Sequence, residues 1–174
     1  LLTEEAYLKL EYSLLSILVN LCEKTLALEF SRFRPLGYGV LNFLVTEIKV
    51  PPEKTYYQAF VQKLLQDGML TFFQTYPVLG RLIATRIDFW VEATAEFMQR
   101  LKADLPEIQQ VFQLDQRSSG VQKQKSSEEL PITELGKVIE IKPNLSDPHN
   151  RGRSTIALTF ESGLKLVYKP KDLG

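Results

Sequence analysis

At 174 residues, with 44% hydrophobic and 24% charged side chains, the chain is long enough to bury the core of a full domain without disulfide or metal staples. Its 21 basic and 21 acidic residues cancel, which removes any global argument for nucleic acid or an anionic membrane as partner. A single cysteine, Cys22, excludes an internal disulfide framework, no Cys/His cluster has zinc-site spacing, and a reducing cytoplasm fits this usage best.

The chain begins on Leu1 rather than methionine and stops at Gly174 just after a strand-like segment, which reads as a piece of a longer protein. Leu8, Tyr12, Leu15, Val19, Cys22 and Leu26 recur at spacings of four and three, with Leu14, Leu18, Leu21 and Leu28 widening the same face, so a long amphipathic helix is expected there. Glu5, Lys9, Asn20, Glu23 and Lys24 form its wet side. The apolar run Leu14 to Cys22 is interrupted by Ser16 and Asn20 and has no basic leader, so it is neither a signal peptide nor a membrane span. "RFRPLGYG" at 32–39 is a Pro/Gly break. "PPEKTYYQAFVQKLLQDG" predicts a second helix that opens on prolines and stops at Asp67-Gly68.

"YPVLGRLIATRIDFWVEATAEFMQRLKADL" has the clearest helical period in the chain. Leu79, Leu82, Ile83, Ile87, Trp90, Phe97, Met98 and Leu101 fall on one side, with Arg81, Thr85, Asp88, Glu92 and Gln99 on the other. The aromatic residues read as helix core rather than a cofactor box. Residues 116–130, "QRSSGVQKQKSSEEL", have the composition of a flexible linker. Beyond them the period changes to that of strands: Val138 to Ile141, Thr155 to Phe160, and Leu164 to Tyr168, the last two joined by the hairpin connection "ESG". The expected fold class is therefore α+β, a helical subdomain over 1–115 followed by the first antiparallel strands of a second lobe over 131–174.

The basic surplus lies late, since residues 116–174 carry 10 basic and 7 acidic groups. The connection between the first two strands, "SDPHNRGR" at 146–153, contains the chain's one histidine. Antiparallel order brings Lys169, at the end of the third strand, back to the end of the sheet that carries this loop, so Asp147, His149 and Lys169 can converge. A turn with Gly152 beside Arg151 and Arg153 can approach phosphate oxygens, and a nearby lysine can pair with them as a point charge. Protein kinases use such a layout, but neither their glycine-rich motif nor the P-loop motif is present. As a metal site Asp147 and His149 supply only two ligands, so none is assigned, and no serine is poised for a nucleophile triad. A plain hairpin, with Asp147 capping, Pro148 fixing φ and the arginines solvated, is what the residues alone favour.

"LSDPHNRGRSTIALTFESGLKLVYKP", Leu145 to Pro170, resembles the start of the nucleotide-binding lobe of class II (LanM-type) lanthipeptide synthetases, with its Asp-x-His turn, Gly-Arg pair and lysine-bearing strand. "YPVLGRLIATRIDFWVEATAEFMQRLKAD" is similar to the helical region of the same family. The resemblance implies a dehydratase with a lipid-kinase-like core. Such an enzyme uses ATP and Mg2+ to phosphorylate Ser and Thr of a ribosomal precursor peptide, and then eliminates phosphate to leave dehydroamino acids.

The resemblance also implies residue roles: Lys169 holds the nucleotide phosphates with Gly152 and Arg153, while Asp147 and His149 act on the phosphoryl group or in the elimination. A carboxylate beside an imidazole can orient the ring for proton transfer near neutral pH. The family's magnesium-binding acid, its catalytic loop and its Zn2+-dependent cyclase lie beyond Gly174, so residues 1–174 alone are expected to be inactive. Two other readings stay open, a helical module that binds a peptide or protein and a piece of another kinase-like enzyme; no nucleic acid or membrane partner is expected.

Overall fold

A computed structural model of the chain describes residues 1–34, 53–118 and 134–170. The expected linker lies outside these residues from 119 on, as do the Pro/Gly break beyond Arg34 and the proline pair before the second helix. The described residues form an α+β arrangement of α1 (Glu4–Phe33), α2 (Glu53–Leu65), α3 (Leu70–Thr75), α4 (Pro77–Ser118), β1 (Val138–Lys142), β2 (Ile156–Phe160) and β3 (Lys165–Tyr168). They fall into two compact units, one of Leu1–Ser16 with Arg86–Gly174 and the other of Ile17–Thr85. No helix among the described residues is long and apolar enough to cross a membrane.

In the first unit the strands are antiparallel in the order β1-β2-β3. Alternation sorts their side chains. Val138, Ile141, Ile156, Leu158 and Phe160 are buried on the inner face, where they join Ala6, Leu10, Phe97, Leu101 and Phe112 in one core. Leu164, Leu166 and Tyr168 pack against that core from β3. A bulge between Val138 and Glu140 throws Ile139 outward, to 43% exposure.

The first residues add an element that the sequence pattern does not announce. Thr3 donates its N–H to the Val138 carbonyl (2.9 Å), and the Val138 N–H donates to the Leu1 carbonyl (3.0 Å), so residues 1–3 lie parallel along β1. The Thr3 hydroxyl then accepts the Ala6 N–H (3.3 Å) as the cap of α1, with Glu4 and Glu5 set favourably in the first turn.

The helix expected at the N-terminus forms, but it is turned. Ala6 and Leu10 are its buried residues, whereas Tyr12, Leu15 and Val19 from the expected core face are 59%, 53% and 50% exposed. The helix is apolar around most of its circumference, so periodicity shows a helix without selecting the side that packs.

On α4 the expected core residues Phe97 and Leu101 are buried, while Leu82 is 48% exposed. The helix also continues through Pro106. A proline inside a helix costs about 3 kcal/mol. Burying Phe112 on the same stripe as Leu101 and Leu105 returns about 1.5–3 kcal/mol, and the partly buried Ile108 adds to it, which offsets that cost.

Gly136 leads into β1 with φ +73°, and a Cβ there would lie 2.5 Å from the Glu161 carboxylate that accepts the Lys137 N–H. Gly136→Ala is therefore expected to destabilise the fold by about 1–3 kcal/mol, through left-handed strain and displacement of Glu161. The lowered denaturant midpoint should be partly restored by a second change, Glu161→Gly, because that removes both the carboxylate and the Cβ, 2.7 Å away, that the new side chain would meet, and leaves the strain.

In the second unit α2 stops where Asp67-Gly68 predicts, with Gly68 at φ +63°. The short α3 follows, unannounced by any periodicity, its Thr71 N–H held by the Asp67 carboxylate (3.0 Å). Phe30, Phe33 and Phe60 pack ring against ring at 5.4–5.6 Å.

Candidate functional site

The connection between β1 and β2 is a long hairpin closed by side chains as well as backbone. Leu145 donates its N–H to the Thr155 carbonyl (3.0 Å), and the Thr155 N–H returns to the Ser146 hydroxyl (3.0 Å). Buried Ser154 donates its hydroxyl to the Asn144 side chain (3.1 Å) and accepts the Asn144 N–H (3.2 Å). The closing role that Asp147 would take in a plain hairpin thus belongs to Ser146 and Ser154, whose hydroxyls can both donate and accept.

At the tip His149 and Arg153 exchange two backbone hydrogen bonds of 2.8 Å each. The three residues between them, Asn150, Arg151 and Gly152, all have positive φ, at 39°, 65° and 88°. Glycine meets that demand freely; Arg151 does not, and a left-handed non-glycine residue costs roughly 1–2 kcal/mol. Something must hold the tip in this shape.

That restraint comes from α4. Phe89, Glu92, Glu96 and Arg100 follow one another at helical spacing along one side of the helix. The Arg151 guanidinium lies 6.0 Å from the centre of the Phe89 ring and 3.5 Å from the Glu92 carboxylate. Both charged groups are exposed, so this pair contributes at most about 1 kcal/mol. Arg153 is better placed, its side chain 19% exposed against 25% for Glu96. Its Nε donates to Glu96 Oε2 (2.6 Å), a terminal nitrogen reaches the same oxygen (2.5 Å), and the other donates to the Asn150 carbonyl (2.8 Å). Glu96 Oε1 is occupied separately by Arg100 (2.7 Å). Hydrogen bonds to charged groups are worth roughly 1.5–3 kcal/mol, so Arg153 is the stronger of the two tethers.

Sequence reasoning placed Glu92 on a solvated face and missed Glu96 altogether. The available signal was the four-residue spacing of Glu92, Glu96 and Arg100 on α4, opposite a loop with arginines two residues apart.

Lys169 lies at the same end of the sheet. Ile156 is opposite Tyr168, so Lys169 stands one position beyond the paired residues, level with the base of the loop. The Tyr168 ring turns inward onto Phe97, edge to face with centroids 5.2 Å apart, while Lys165, Val167 and Lys169 are exposed on the outer side. Partial burial pushes the Tyr168 hydroxyl above its usual range. The hairpin therefore straddles the end of the sheet, tied by its arginines to the helix on the inner face, with Lys169 emerging on the outer one.

Asp147, His149 and Lys169 are exposed, and their side chains make no ion pair or hydrogen bond with other described residues. Among the described residues no three acidic, histidine or cysteine side chains gather as a metal site. A separate recess of about 610 Å³ in the helical unit is lined by Phe33, Phe60 and Phe72. Its acids Glu29 and Asp67 match its bases Arg32 and Lys63, so it offers no surplus of positive charge to an anion.

The α+β lobe thus carries a tethered, partly left-handed hairpin and an exposed lysine at one end of its sheet. Residues 76–174 match DUF4135, described as a domain of unknown function, and the chain belongs to that family. The domain is associated with lanthipeptide synthetases. No curated protein matches the chain in sequence.

Proposed function

We propose that the chain is part of a lanthipeptide synthetase dehydratase, one that phosphorylates Ser and Thr of a ribosomal precursor peptide with ATP and Mg2+ and then eliminates phosphate to give dehydroamino acids. The observation that carries this reading is the juxtaposition of the Asp147–His149 loop and Lys169 at one end of an antiparallel sheet.

The outer face of the sheet fits a nucleotide. Ala157 pairs with Val167, which is 58% exposed, so a small apolar surface lies on the outer face beside Lys169. A planar base can lie on such a surface with its phosphates directed to the lysine at the loop end. Bound MgATP supplies the transferable phosphoryl group. Lys169 neutralises phosphate oxygens, and Gly152 with the tethered Arg153 keeps the hairpin close to them. Asp147 and His149, left without partners in the described structure, are available to take a proton from a peptide hydroxyl or from the carbon next to a phosphorylated one. In the second case the electron pair of the Cα–H bond forms the Cα=Cβ double bond as the Cβ–O bond breaks, and phosphate leaves with the electron pair of that bond.

Replacing His149 by alanine in the full-length protein that contains this chain should either stop phosphorylation or let phosphorylated peptide accumulate. Intact-mass analysis of the peptide separates the two. Fully dehydrated peptide formed at the wild-type rate would remove His149 from the mechanism.

A further inference from the structure

We propose that Glu96 is a positioning residue for the Asp147–His149 loop, acting through Arg153. The inference deepens the dehydratase reading and rests on it.

The loop has little of its own to fix it. Residues 145–151 are exposed, Asn150 and Arg151 are held at positive φ, and the side-chain bonds of Asn144, Ser146 and Ser154 all sit at its base. At the tip, the half-buried contact to the rest of the unit is the one from Arg153 to Glu96. Arg153 is also the residue whose backbone pairs with His149 in both directions, so a shift of its side chain is passed directly to the histidine.

Glu96 is suited to this task because its two oxygens are divided. Arg100, four residues on, holds Oε1 and thereby fixes the carboxylate, while Oε2 is left to receive Arg153 from the loop. Phe97, the next residue, is 1% exposed and packs on Tyr168, which precedes Lys169. Adjacent residues of one helix turn thus address both halves of the site: Glu96 sets the loop, and Phe97 sets the strand end that carries the lysine. Misplacing a reacting group by about 1 Å can cost on the order of a hundredfold in rate, so a loop released at its tip would fail in catalysis before the fold failed.

The test uses the full-length protein with MgATP and the precursor peptide that it dehydrates. Glu96→Gln keeps the shape but removes the charge. It should lower kcat for dehydration by about ten- to hundredfold, leave KM for MgATP within roughly twofold because Lys169 does not depend on the loop, and speed hydrogen exchange at residues 149–153. Arg153→Ala should lower kcat by as much, and the double variant should have a kcat no lower than either single one, since both remove one contact. Arg100→Ala, which frees the other oxygen of Glu96 but leaves the loop contact in place, should cost less activity than either Glu96→Gln or Arg153→Ala. Equal losses in all three single variants, or a rise in KM with kcat unchanged, would mean that Glu96 acts only on stability or binding. Unchanged exchange at the loop in Glu96→Gln would overturn the proposal outright. Wild-type protein and Lys169→Ala, run in parallel, separate the two levels: no dehydration by the wild-type protein defeats the dehydratase assignment, normal dehydration by Lys169→Ala defeats that lysine's phosphate role, and an inactive Lys169→Ala beside a fully active Glu96→Gln defeats the positioning role alone.

Discussion

Lys169→Ala in the full-length protein is expected to slow ATP-dependent dehydration by at least about a hundredfold, the loss typical when a preorganised charge is removed from a site of developing negative charge. The neighbouring lysine is the control. Lys165 lies on the same exposed side of β3 but at its other end, paired with Thr159 away from the loop. Lys165→Ala removes an equal charge from the same strand and should change the rate by no more than roughly twofold, as surface substitutions usually do. Its Coulombic contact helps hold the Glu140 carboxyl below the usual range, after the larger influence of Lys142, so any residual effect should appear in that surface cluster and not at the loop. Equal losses from the two variants would show that net charge, and not the position of Lys169, drives phosphate binding.

Phe97→Ala carries the largest expected cost in stability, about 3–5 kcal/mol. Phe97 is 1% exposed, lies in the core shared by α4 and the sheet, and supports Tyr168 edge to face. Deleting the ring opens a cavity between elements far apart in sequence, so no single segment can relax to fill it. Val91, on the same helix but 52% exposed, provides the comparison; Val91→Ala should cost less than about 1 kcal/mol. Urea unfolding would read the difference as a shift in midpoint at constant slope. A Phe97→Ala midpoint equal to that of Val91→Ala would mean that the packing of α4 on the sheet contributes little to the fold.

Much of the architecture is legible in the sequence because it is locally encoded. The change from a period of 3.6 to alternation after residue 131 marks the strands, Asp67-Gly68 marks the end of α2, and "ESG" marks the last hairpin. What escapes is set by partners distant along the chain. Nothing in the pattern marks Leu1 to Thr3 as strand-like; Val138, far along the chain, provides their partner. The side of α1 that packs depends on which surface meets α4 and the sheet, and a helix rich in leucine on several sides cannot specify it alone. Helix α4 passes Pro106 because Ile108 and Phe112 have a core to enter.

The candidate site divides in the same way. That Asp147, His149 and Lys169 lie at one end of the sheet follows from strand order, which the pattern of short strands predicts. The partners of Arg151 and Arg153 do not, because Glu92 and Glu96 lie more than fifty residues earlier, on the side of a helix that reads as solvated. Charges that look redundant on separate elements become meaningful only when the fold brings the elements together.

The dehydratase assignment is tested most directly by the intact mass of the precursor peptide after incubation with the full-length protein, with and without MgATP. Loss of water from Ser and Thr is expected only when MgATP is present, with phosphorylated peptide as the species on the way. Peptide recovered at its original mass in both incubations would contradict that assignment.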